Sequence, residues 1–237
     1  MIPKNIYQTW KTQDLNIKII KLRKKILEHN KDYNLTLYTD DQMIEFVNSN
    51  YDNDVFNSFQ KINNIVSKAD FWRYLILYKY GGIYLDIDSS INKDLSSLID
   101  KKDSAVITGE QNTDCFVQWA LIFENNHPIL EETINNLLAN MSSQKFKNDV
   151  LSFSVKPYWD AVNNYLSKLD NNFSWSSIDK NTNVKFNVNG MQTRFYGVDY
   201  NEYFSFKHKY NHLLRDKRKG SYTKDHWTIT QNSDVIY

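Results

Sequence analysis

Cysteine, proline and glycine are scarce: 237 residues contain one Cys, three Pro and six Gly. With Cys115 alone no internal disulfide framework exists, and such a composition fits a reducing compartment. The shortage of proline and glycine leaves no Gly/Ser/Pro linker, and no internal repeat occurs, so the chain is read as one domain over 1–237. Neither charge sign dominates. Lys and Arg total 29 against 28 Asp and Glu, and a net charge of +1 offers no global attraction to nucleic acid. No apolar run is long enough to cross a bilayer. Met1-Ile2-Pro3-Lys4 leads directly into a strand-like segment, which argues against a secretory leader and for a cytoplasmic location. What is abundant is core material, 41% hydrophobic and 15% aromatic residues.

The most informative stretch runs from Lys68 to Asp88. Ile65, Ala69, Trp72, Ile76 and Tyr80 recur at steps of three and four, which predicts a helix with one buried stripe. Asp70 and Arg73 fall at i and i+3, close enough to pair. Gly81-Gly82 ends the helix, because the usual exit needs a left-handed residue. Ile83-Tyr84-Leu85-Asp86-Ile87-Asp88 then alternates as a strand, with Ile83, Leu85 and Ile87 on one face. Tyr84, Asp86 and Asp88 take the other.

Two carboxylates on one side of a strand end repel each other unless a cation sits between them. Oxygen ligands of this kind suit Mg²⁺ or Mn²⁺ brought in with a diphosphate. The plain alternatives are a solvated Asp pair at a strand exit and, for Asp70 and Arg73, a surface ion pair contributing about 0.2–0.5 kcal/mol.

Ala69-Asp70-x-x-Arg73-Tyr74 followed by Tyr80-Gly81-Gly82-Ile83-Tyr84-Leu85-Asp86-Ile87-Asp88 resembles the signature of glycosyltransferase family 32, sugar transferases with a DXD motif. Pro3-Lys4-Asn5-Ile6-Tyr7-Gln8-Thr9-Trp10-Lys11 is similar to the family's opening strand, with Tyr7 where the family commonly has His. The resemblance implies a GT-A-like α/β fold: a single Rossmann-type domain with a mixed central sheet and helices on both faces. Residues 1–110 would form its nucleotide-sugar-binding half, and 111–237 the acceptor-side half and closing segment. It also implies transfer of a hexose from a UDP- or GDP-linked donor to a glycan or lipid-linked acceptor, with Mn²⁺ or Mg²⁺ as cofactor and retention of configuration. Asp88 would bind the metal, and Asp86 the ribose and the metal or its water. Asp70 and Arg73 would hold the sugar and the phosphate-proximal side of the donor, while Thr9 and Trp10 would meet the base. Lys224-Asp225-His226-Trp227 is similar to the family's closing segment, which makes His226 a candidate metal ligand and favours Mn²⁺.

Elsewhere Ile2–Trp10 and Asn34–Tyr38 read as strands, and Ile17–His29 as an amphipathic helix with Ile19, Ile20, Leu22, Ile26 and Leu27 inward. Thr39 or Asp40 caps a further helix. Leu95–Leu98 reads as helical, Ser104–Thr108 and Phe116–Phe123 as strands, and Pro128–Leu138 and Val155–Leu169 as helices. Short β-like pieces follow at Lys185–Val188, Arg194–Val198 and Tyr203–Phe206. The basic run Lys207–Lys219 is either a solvated loop or a mobile flap contacting the diphosphate or an anionic lipid-linked acceptor, and without a transmembrane segment any membrane contact would be peripheral. Glu110, Gln118 and Trp119 are acceptor-side candidates, each equally explicable as a loop or core residue. Two rival functions use the same residues: a metal-dependent phosphohydrolase, and an inactive glycan-binding module.

Overall fold

The computed structural model describes residues 1–110, 115–147, 149–168, 183–198, 200, 203–205, 215–216, 221–222 and 236–237. Its strands are β1 (Asn5–Thr9), β2 (Asn34–Tyr38), β3 (Gly82–Leu85), β4 (Ser90–Ile91), β5 (Asp103–Gly109), β6 (Ala120–Phe123), β7 (Asn183–Val188), β8 (Met191–Val198) and β9 (Phe204–Ser205), followed by a small hairpin. The α-helices are α1 (Ile17–His29), α2 (Asp40–Asn50), α3 (Asn53–Lys61), α4 (Ile65–Tyr80), α5 (Pro128–Ser142) and α6 (Lys156–Ser167). Seven strands form one mixed sheet in the order β2-β1-β3-β6-β5-β8-β7. β1 runs parallel to β2 and β3, β5 runs parallel to β8, and the remaining pairs are antiparallel.

Period-two alternation divides the strand residues between two layers. Tyr7, Tyr84, Ala105, Leu121 and Phe123 face α2 to α6, while Ile6, Ile83, Val106, Ala120 and Ile122 face a layer holding Ile26 of α1, Leu95, Leu98 and Tyr200. Burial on both faces explains the near-continuous apolar strands. The expected architecture, a mixed sheet with helices on both faces, is what the chain forms.

Several local expectations are corrected. Helix α4 is buried all round from Asp70 to Leu77, whereas Ile65 and Tyr80 are exposed at 45% and 44%, so the inferred stripe is not its buried face. In α1, Ile19, Leu22 and Ile26 point inward, but Ile20 and Leu27 point to solvent. The strand expected over Phe116–Phe123 begins only at Ala120. The helix expected over Val155–Leu169 follows a π-helical turn at Leu151–Val155. Leu95–Ser97 is a 3-10 turn, and α3 has no counterpart in the sequence reading.

Helix α4 starts where the Asn64 side chain accepts from the Val66 and Ser67 amides, and it ends as the Gly81 N–H reaches the Leu77 carbonyl at 2.8 Å. Gly81 and Gly82 have φ of 64° and 109°. A Cβ on Gly82 would lie 2.6 Å from the Asn5 carbonyl oxygen, in the backbone of β1. Gly82→Ala therefore combines a strained φ with a backbone clash, and should cost about 3 kcal/mol in urea unfolding. An unchanged midpoint would contradict this account.

Candidate active site

The site forms at the carboxyl ends of β1 and β3. Tyr7 pairs with Tyr84 in parallel register, so β1 ending at Thr9 and β3 ending at Leu85 finish at the same edge of the sheet. Beyond Leu85 the chain leaves the sheet: the Asp86 N–H bonds the Trp119 carbonyl at 2.8 Å, and the Ser89 N–H turns back to the Asp86 carbonyl at 3.0 Å. Asp86 and Asp88 thus belong to one tight turn rather than to one strand face, which corrects the alternation inferred past Leu85. The Gln8 amide on β1 donates to the Asp86 carbonyl at 3.3 Å and is itself gripped by Arg23 of α1. Ile87, between the two aspartates, packs with Ile19 and Leu37, and the half-buried Trp10 lies against the same cluster.

Arg73 is the hub. Its Nη2 lies 2.6 Å from Asp70 Oδ1 and 3.4 Å from Asp86 Oδ1, and its guanidinium stacks 4.4 Å above the Tyr84 ring. Nη1 donates to both the carbonyl and the side-chain oxygen of Gln118, each at 2.9 Å. Tyr84 donates its hydroxyl to Asp86 Oδ1 at 2.9 Å. The Ser154 hydroxyl donates to Asp70 Oδ2 at 2.6 Å, and Gln118 donates to Tyr74, whose hydroxyl bonds the Ser154 carbonyl. Ser154 sits on the π-helical turn, a local distortion often found at functional positions. Burial pushes the Asp70 carboxyl above the ordinary carboxylate range, against the pull of Arg73 and Ser154. Burial works against the Arg73 charge as well, but Tyr84, Asp70 and Asp86 around it hold the guanidinium more firmly protonated than usual. The Tyr84 phenol is raised chiefly by burial and stays a donor.

A divalent cation fits these donors. Asp86 Oδ1 is committed to Arg73 and Tyr84, and among the described residues Oδ2 accepts no hydrogen bond, on a side chain 21% exposed. Asp88 supplies a second carboxylate from the same turn. Among the described residues no group of three or more His, Cys, Asp or Glu side chains could hold a metal. The described carboxylates alone do not fill a coordination shell, and oxygens of a ligand would add to it, as for a cation delivered with a diphosphate. Two buried polar atoms beside it, Arg73 Nε and Ser89 Oγ, have no partner among the described residues. His226 and most of Lys207–Lys219 lie outside the described residues.

Asp70, Arg73 and Asp86 are thus in contact, Asp88 shares Asp86's turn, and Thr9 and Trp10 end the neighbouring strand. The Asp70–Arg73 pair is not the surface pair of the plain reading, since both side chains are about 95% buried. Of the acceptor-side candidates, Gln118 joins the Arg73 network and Trp119 is core, packed edge-on to Phe204. Glu110 follows β5, its N–H on the Cys115 carbonyl at 2.8 Å. Tyr74, Tyr84 and Ser154 escaped the sequence reading. Tyr84's position on the same face as Asp86 was the one available signal for it.

These observations define a GT-A-type α/β fold with a DXD turn at its carboxyl edge. The family described as "Glycosyltransferase sugar-binding region containing DXD motif" matches residues 17–105 of the chain. The chain is 31% identical over 161 residues to "Inositol phosphoceramide mannosyltransferase 3" of Schizosaccharomyces pombe, covering 68% of this chain and 44% of the relative. It is 30% identical over 159 residues to the "Initiation-specific alpha-1,6-mannosyltransferase" of Candida albicans, covering 56% of this chain and 41% of that one. It therefore spans less than half the length of these relatives. Among solved structures, "PaToxG Glycosyltransferase" superposes with a TM-score of 0.59 over 72% of each chain at 23% identity, a likeness of fold.

Proposed function

We propose that this chain is a metal-dependent hexosyltransferase, moving a sugar from a nucleoside-diphosphate donor to a glycan or lipid-linked acceptor with retention of configuration. The observation that carries the reading is Arg73 bridging Asp70 and Asp86 beside the Asp88-bearing turn. Cleavage at the anomeric carbon leaves negative charge on the departing diphosphate, and a cation held by Asp86 and Asp88 would offset that charge. Arg73 contributes a fixed positive field at the same edge without reorganising. Asp70, held by Ser154, fixes the Arg73 guanidinium beside Asp86 at the donor side, and Trp10 offers a flat face for the base. A retaining front-face path lets the leaving phosphate take the acceptor proton, so no protein base is assigned. The relatives' names make mannose the first sugar to test, with GDP- and UDP-linked donors compared. Purified protein should release nucleoside diphosphate from one of these donors with Mn²⁺ or Mg²⁺ and stop when the metal is chelated. Release indifferent to chelation, or none from any donor, would sink the reading.

A further inference from the structure

Helix α1 carries an outer face that nothing among the described residues covers. Ile17, Ile20 and Leu27 are exposed at 61%, 47% and 37%, while Ile19, Leu22 and Ile26 are buried beneath. At roughly 100° per residue, Ile17, Ile20, Lys24 and Leu27 span about 80° of the outer surface. Lys21, Lys25 and Lys18 follow on one side, all exposed. Residues 17–31 hold six Lys or Arg and one acid, Glu28. Taking these from 29 and 28 leaves the rest of the chain 23 basic against 27 acidic residues, so the chain's near neutrality hides a localised positive face.

We infer that this face docks on an anionic lipid bilayer, with α1 lying in the interface. Isoleucine and leucine tips enter the headgroup–acyl boundary, and the lysine stems extend alongside with their ammonium groups on lipid phosphates. A second copy of the chain is the poorer occupant: a symmetric α1–α1 contact would set these lysines against one another, around only three apolar side chains. Leu27 continues into the rim of an open groove of about 890 Å³ that the exposed Tyr80 also lines, offering an amphipathic ring. The inner side of α1 rests through Ile19 on Ile87, inside the aspartate turn. A bilayer on the outer face therefore lies about one helix diameter, ~10 Å, from the proposed metal seat. On the transferase reading, that distance suits an acceptor whose lipid tail stays in the membrane. The docking itself does not depend on that reading.

The test is sedimentation of the full chain with phosphatidylcholine vesicles, with and without about 30 mol% phosphatidylserine, at ~0.1 M and ~0.5 M salt. Binding should require the anionic lipid and weaken at high salt. Lys21→Gln, Lys24→Gln and Lys25→Gln together should lower the partition on the order of 100-fold. Ile17→Ser with Ile20→Ser should lower it at least about 10-fold. Neither set touches the site, so sugar-nucleotide affinity and the circular dichroism spectrum should stay unchanged. Failure of that affinity in the unsubstituted protein would count against the proposed function only. Equal binding to neutral vesicles, or binding unaffected by both sets, would overturn the inference. So would concentration-dependent dimerisation abolished by the isoleucine changes, which would assign the face to a second copy.

Discussion

Arg73→Met is expected to cost about 3–5 kcal/mol in urea unfolding, a large part of the roughly 5–15 kcal/mol that holds a domain together. Methionine keeps the apolar stem, so packing within α4 changes little. What is lost is the guanidinium between Asp70 and Asp86. Asp70 is 3% exposed and would keep neutral partners, the Ser154 hydroxyl at 2.6 Å and the Gln118 side chain, leaving a charge uncompensated inside the fold. Asp70→Asn added to Arg73→Met should recover part of the loss, because the stranded charge goes with it. The pH dependence carries a sign. Burial already raises the Asp70 carboxyl above its unfolded value of about 3.9. A folded state that binds its proton more tightly than the unfolded one gains stability as pH falls through the folded pKa, and the gain is complete below the unfolded value. With Arg73 gone the raise is larger, so the variant's deficit should narrow between neutral and mildly acidic pH. A loss below about 1 kcal/mol, or a deficit that widens on acidification, would show that the pair is not the buried hub described here.

Much of this arrangement was legible before any coordinates. The alternation of Ile83, Tyr84 and Leu85 placed β3, and the family resemblance implied a mixed sheet with helices on both faces. Asp70 and Arg73 at helical spacing were readable as a pair, but their burial was not: i,i+3 geometry is the same on a wet face and a dry one. The stripe assigned to α4 failed because a helix buried on every side has no single apolar face for periodicity to report. Ser154 went unread, and Gln118 was named only as an acceptor-side candidate, for a different reason. Each reaches the hub from a distortion, a π-helical turn and an irregular stretch before β6, and neither leaves a periodic trace. In α1 the exposed Ile20 and Leu27 look like core residues in sequence, since pattern records hydrophobicity and not which face meets protein. The outcome for Asp86 and Asp88 is instructive in the same way. The two residues were selected by a strand argument that stops at Leu85, and the turn sealed by the Ser89 amide brings them together instead.

That turn yields the sharpest separation of function from fold. Asp86→Asn keeps an oxygen able to accept from Tyr84 and Arg73 in nearly the same shape, and the turn's backbone bonds from Ser89 and Gln8 do not involve the side chain. Stability should therefore change by no more than about 1 kcal/mol. Turnover of the sugar nucleotide should fall on the order of 1000-fold, because the amide cannot contribute the negative charge that a hard cation needs at this seat. Asp88→Asn should behave alike in turnover. A readout free of catalysis separates the cation from the donor: Mn²⁺ titrated with nucleoside diphosphate, followed by calorimetry, should show tight joint binding in the unsubstituted protein. Either variant should lower it on the order of 10–100-fold, as expected when a direct ligand or its support is lost. Joint binding that survives both changes, with turnover intact, would move the cation away from this turn. The Arg73 network would then be a structural clasp between α4, β3 and the π-helical turn, with no role in transfer.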